Sequence, residues 1–154
     1  MNTLVNPKGW IPLLLMLVVG LLCSCGSPAP IAPSTSDTPP VAADRVEVVY
    51  FHRTQRCHSC IYAQEWTFYT IETYFADELA SGKVTFKVFN VEDKENATIV
   101  KKYGAFTSSL FINTIRGGTD HIEEVTDIWL LLGNDEAFAE AVRSKIEESL
   151  KEVG

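Results

Sequence analysis

Cys57 and Cys60, with His58 and Ser59 between them and Arg56 before them, are the residues of this chain best suited to chemistry. Two thiols at this spacing on the first turn of a helix can close a small, labile disulfide. The first sulfur then lies where the N–H groups of a helix start stabilise a thiolate. Arg56 and His58 add real or potential positive charge beside it. Each of these favours the thiolate over an ordinary thiol, whose pKa is about 8.5. Stabilising the reduced form makes the disulfide a better oxidant. Cys57 is therefore expected to be the exposed attacking thiol. Cys60, one turn in, is expected to be more buried and to resolve a mixed disulfide. A static staple is the alternative, but closing so short a loop gains little chain entropy.

The same neighbourhood admits other chemistry. Cys57, Cys60, His52 and His58 could supply soft and imidazole ligands to copper or zinc. His52 could instead shuttle a proton. Thiol–disulfide exchange needs no resident cofactor, so copper or zinc belongs to the metal-handling alternative alone. A third possibility is a binding module that uses the fold as a scaffold without chemistry at the cysteines. His121 is expected to be structural, and the glutamate- and lysine-rich C-terminal helix to be a solvated face.

The elements that must position the cysteines are legible as periodicities. Val46–Phe51 is an apolar run with one polar residue, as in a strand buried on both faces. From Cys57 to about Leu79 the pattern predicts one helix, with Ile61, Phe68, Ile71, Phe75 and Leu79 as its buried stripe and Ser81-Gly82 as its stop. Tyr62, Trp66 and Tyr69 fall partly off that stripe and are expected to pack in the core. Val84–Val91 reads as a second strand, Asp93–Tyr103 as a short helix closed by Gly104, and Ser109–Ile115 as a third strand. Arg116-Gly117-Gly118-Thr119 is a hairpin signal leading to a fourth strand over His121–Val125. Asp127 is expected to cap a short helix over Ile128–Leu132. Asp135 is expected to cap a last helix with Phe138, Val142, Ile146 and Leu150 inward. The order is βαβα followed by ββα. Its first part demands a parallel crossover, right-handed by rule. The whole predicts an α/β fold, a four-stranded mixed sheet with flanking helices.

The N-terminus reads differently. Residues 1–24 resemble a lipoprotein signal peptide: Lys8 is the one charged side chain before the apolar run Ile11–Leu22, which is short for a membrane span of roughly 20 residues. An uncleaved anchor is the alternative. Leu22-Cys23-Ser24-Cys25 resembles a bacterial lipobox, with Cys25 as the lipidated residue. Cleavage there would remove Cys23 and leave Cys57 and Cys60 as the only thiols of the folded segment. It would also place the chain, lipid-anchored, on the extracytoplasmic side of a cell envelope, where disulfides persist. Residues 25–44 then form a tether, with five of the seven prolines and almost no large apolar residue. Residues 45–154 suit one small domain with one core. Net charge is −7 for the chain and −7 − 1 = −8 once Lys8 is lost. That balance argues against nucleic acid and against peripheral binding to anionic lipid. The partners expected are protein or small-molecule thiols and disulfides. The lipobox also discounts Asn96-Ala97-Thr98 as a glycosylation site.

The segment from Val46 to about Leu132 resembles the thioredoxin-like superfamily. The strand Val48-Val49-Tyr50-Phe51, the motif Cys57-His58-Ser59-Cys60, the segment Phe89-Asn90-Val91-Glu92-Asp93 and Tyr103-Gly104 carry the resemblance. Tyr50-Phe51-His52, Arg56-Cys57, Thr107-Ser108-Ser109-Leu110 and Asp127-Ile128-Trp129 look like the small ArsF-type thioredoxin-like lipoproteins. The resemblance implies the thioredoxin-like fold and a cycling disulfide. Three departures bear on how a substrate is held. Arg56 stands where thioredoxins have Trp. His58-Ser59 replaces Gly-Pro or Pro-His. The loop Ala105–Leu110, which in thioredoxins carries a cis-proline facing the disulfide, has Ser108 and Ser109 and no proline. The carboxylate that deprotonates the second cysteine in thioredoxins also has no counterpart, since Tyr50 or Phe51 falls at its place. The resemblance therefore implies the redox pair without thioredoxin's grip on its substrate.

Overall fold

The computed structural model describes residues 43–154. The signal segment, the lipidation site at Cys25 and the tether up to residue 42 lie outside the described residues. Eight elements follow: β1 (Arg45–His52), α1 (His58–Tyr74), α2 (Ala76–Ser81), β2 (Val84–Asn90), α3 (Ala97–Tyr103), β3 (Ser109–Arg116), β4 (Thr119–Glu124) and α4 (Asp135–Glu152). Single 3-10 turns at Lys94–Asn96 and Asp127–Leu130 lead into α3 and follow β4.

The strands form one mixed sheet in the order β2-β1-β3-β4. β1 pairs in parallel with β2 and antiparallel with β3, and β3 pairs antiparallel with β4. Alternation along β1 divides the core. Val46, Val48 and Tyr50 join Leu110, Ile112, Ile71, Phe138, Val142 and Ile146 beneath α1 and α4. Val49 and Phe51 join Tyr103, Ala105 and Phe111 beneath α3. Period-2 alternation with apolar residues on both faces is what a central strand between two helical layers requires. With helices on both faces of this sheet, the fold is thioredoxin-like.

The long N-terminal helix departs from its expected form. It breaks at Phe75 (φ −132°, ψ 32°), and α2 begins at the next residue. The break buries Phe75 with Leu79 packed against the same core. The buried face of α1 is Ala63, Thr67, Thr70 and Ile71, while Ile61 and Phe68 are 38% and 40% exposed. Three of the four residues on this face are small or hydroxyl-bearing. The threonines lose their polarity by donating back to the Ala63 and Trp66 carbonyls at 2.7 Å. Tyr62 and Trp66 pack where α1 meets α4, Tyr62 edge-on to Phe138, whereas Tyr69 is half-exposed and lies against Trp66.

Two expected caps also differ. Asn134, not Asp135, caps α4 by accepting from the Ala137 N–H. Asp135 is the first helical residue and accepts from the Tyr62 hydroxyl at 2.7 Å, tying α4 to α1. Asp127 sits within its 3-10 turn and makes no cap bond. The inward positions Phe138, Val142 and Ile146 are buried as their spacing predicts. Gly117 and Gly118 both take positive φ, 57° and 78°, in the two-residue turn between β3 and β4. β4 begins at Thr119, two residues before its expected start. His121 on it is exposed and packs in no core.

Candidate redox site

The pairing places the C-terminal ends of β1, β2 and β4 and the N-terminal end of β3 at one end of the sheet. The loop Arg53–Cys57 and the start of α1 lie there. Cys57 and Cys60 form a disulfide with Cα atoms 5.1 Å apart. Cys57 is the N-cap of α1, and its sulfur accepts from the Cys60 N–H at 3.2 Å. A sulfur that already accepts one of the unpaired N–H groups of a helix start keeps that stabilisation as a thiolate. Cys57 is exposed and Cys60 half-buried, the asymmetry that an attacking and a resolving thiol need.

The loop before Cys57 is laced to the end of β2. The Arg53 Nε–H donates to Glu92 Oε1 at 2.9 Å, and the Thr54 N–H donates to Glu92 Oε2 at 3.1 Å. Asn90 donates to the Thr54 hydroxyl at 2.9 Å. The Glu92 carboxyl is held below its ordinary 4.5 by the bonds from Thr54 and Arg53. Asn90 and Glu92 thus hold the loop before Cys57 in place. The sequence showed them only as part of a family-like strand end, because the pairing across 36 to 39 residues is tertiary.

Arg56 engages the backbone of the second cysteine. Its Nη2 donates to the Cys60 carbonyl at 3.3 Å and to Gln64 Oε1 at 2.9 Å. The Tyr50 hydroxyl donates to the same carbonyl at 2.8 Å. Tyr50 is fully buried, and burial pushes its phenol up to about 12 against the opposing influence of the Arg56 charge and the Ser108 side chain. A neutral phenol therefore stands beneath Cys60 throughout the physiological range. The sequence leaves Tyr50 and Phe51 as alternative occupants of the missing carboxylate's place, and the hydrogen bond to Cys60, which depends on where α1 begins, singles out Tyr50.

The remaining candidates separate. Ser108 is half-buried and acts on the Tyr50 phenol. Ser109 is buried opposite Phe51, and its hydroxyl turns back to the Thr107 carbonyl at 3.0 Å. Phe106, in the same loop, is almost fully exposed. His58 is exposed at the first residue of α1. His52 Nδ1 lies 2.9 Å from the Arg53 carbonyl oxygen, a contact that puts its proton on Nδ1. Among the described residues no three His, Cys, Asp or Glu side chains come together as a metal-ligand group. No family model matches the chain, and a search of curated proteins finds no match.

Proposed function

We propose that this chain is a membrane-tethered thiol–disulfide oxidoreductase of a bacterial envelope. The observation that carries the reading is the Cys57–Cys60 disulfide at the start of α1, with Cys57 exposed and its sulfur already accepting a helix N–H. In the reduced protein the Cys57 thiolate attacks a partner disulfide, expels one thiolate and forms a mixed disulfide. Cys60 then attacks Cys57 Sγ, closes the internal disulfide and releases the second thiol. The partner gains the two electrons that the dithiol loses. Run backwards, the same steps reduce the internal pair. The lipobox at Cys25 and the proline-rich stretch after it support the tether and the envelope location.

Cys57→Ser is expected to abolish exchange with dithiols and with insulin. Cys60→Ser is expected to accumulate a mixed disulfide, detectable as an adduct mass on the intact protein. Undiminished exchange by Cys57→Ser would overturn the proposal.

A further inference from the structure

The disulfide stands in the wall of a hollow of about 330 Å³ lined by Arg53, Gln55, Arg56 and Cys57. Resting on the redox reading above, we propose that this hollow takes small disulfides bearing carboxylates and thereby selects the exchange partner of Cys57. Its lining residues are two arginines, a glutamine and Cys57, with no acidic residue among them. This runs against the trend of a chain with net charge −7.

The guanidinium groups are only partly spent. Arg53 engages Glu92 through Nε, and Arg56 engages Cys60 and Gln64 through Nη2. Among the described residues, both terminal nitrogens of Arg53 and Nη1 of Arg56 have no acceptor, and buried Arg56 Nε has none either. A planar fork of donors suits a carboxylate better than any neutral group. Glu92 pairs with Arg53 alone, and among the described residues Arg56 has a carbonyl and an amide as partners but no carboxylate. The hollow between β4 and α4 makes the contrast. It holds Glu123, Glu148 and Glu152, and all three are already paired, the first two with Lys145 and the last with Arg116. The volume beside Cys57 lies at the small end of ligand sites and is enough for a compact molecule.

The reaction balances without any further reagent. The Cys57 thiolate attacks one sulfur of R–S–S–R, the S–S bond breaks and RS⁻ leaves. Cys60, giving up its proton, displaces the second RS⁻ from the mixed disulfide. The protein dithiol is oxidised, R–S–S–R is reduced, and the protons end on two RSH.

The test uses reduced protein and three probes: dithiodiglycolate, neutral 2-hydroxyethyl disulfide and cationic cystamine. Each rate is divided by that probe's rate with dithiothreitol, which removes differences between leaving groups. At low salt the normalised rate with dithiodiglycolate should exceed that with the neutral probe by about tenfold, with cystamine slowest. Half-molar salt should shrink the gap. Arg53→Gln should cut the anionic-to-neutral ratio by about threefold, while Lys145→Gln, which removes a remote cation, should leave the ratio unchanged. Cystamine fastest would mean that the acidic body governs, and equal rates would mean that the hollow selects nothing. A neutral peptide disulfide outrunning all three would mean a polypeptide partner. Each of these overturns the inference while leaving the redox reading intact. Failure of every disulfide to react would instead sink the redox reading.

Discussion

Tyr50 and Tyr103 are both buried phenols set against the sheet, on opposite faces, and their surroundings differ in kind. The Tyr103 hydroxyl donates to Glu47 at 3.3 Å and accepts from Asn113 at 3.2 Å. Glu47 accepts in turn from Arg45 and Lys87, at 2.8 and 3.0 Å. Asn113 and Lys102 both donate to Asp120. Of these polar atoms, Asn113 Oδ1 alone is buried without a partner. Tyr50, on the other face, gives its hydroxyl to the Cys60 carbonyl, and the neighbouring Arg56 keeps donors in reserve. A nearly closed network fixes a structure, whereas unspent donors beside an exposed sulfur leave something for a partner to use.

The largest effect expected from breaking this contrast is on stability at the Tyr103 face. Glu47→Ala leaves Arg45 and Lys87 facing each other over a buried hydroxyl. It should cost about 3 kcal/mol in urea denaturation, at the low end for a broken buried ion pair because both cations are partly exposed. Its exchange rate should match the unaltered protein. Glu47 also governs the acid limb. Burial pushes its carboxyl up, but hydrogen bonds and charge from Arg45 and Lys87 pull it below its ordinary 4.5. A depressed carboxylate contributes stability that is complete above about pH 4.5 and is lost as pH falls through the folded value. Glu47→Gln should therefore flatten that part of the stability profile.

Next in size is Tyr50→Phe, which should cost about 1 kcal/mol, the usual net worth of one hydrogen bond. The informative readout is the disulfide. Tyr50→Phe should move the midpoint potential by more than about 10 mV, since 30 mV corresponds to about 1.4 kcal/mol, and Tyr103→Phe should leave it in place. Equal potentials for both variants would erase the functional side of the comparison. At alkaline pH both phenols act alike. Burial raises each, Tyr50 to about 12, so the folded state keeps a proton that the unfolded chain releases near 10. Stability is complete below about pH 10 and falls as pH rises toward 12. Tyr50→Phe should soften that loss without touching the acid limb. The smallest effect is that of Lys145→Ala, which breaks an exposed pair with Glu123 and should stay within about 0.5 kcal/mol.

The sequence disclosed what periodicity and turn chemistry encode. The strand Val46–Phe51, the Gly117-Gly118 hairpin and the inward face of α4 all follow from local pattern. Its failures share a cause. Of the expected stripe, Ile71, Phe75 and Leu79 do turn inward, but Ile61 and Phe68 give way to Ala63, Thr67 and Thr70, whose small size and self-satisfied hydroxyls no hydropathy pattern reveals. The break at Phe75 carries no proline or glycine to announce it. At the site, Cys57 and Cys60 were legible from spacing. The contacts of Tyr50, Asn90 and Glu92 join residues distant in sequence, and only the folded chain brings them to the disulfide.

The central claim is that the Cys57–Cys60 disulfide cycles rather than staples. Its equilibrium midpoint potential, measured against graded dithiol–disulfide buffers at pH 7, tests this most directly. Exposure of Cys57 and the helix N–H on its sulfur predict full, reversible reduction with a midpoint above about −300 mV. A pair that stays oxidised until buffers poised below that value would be a structural disulfide and would contradict the account.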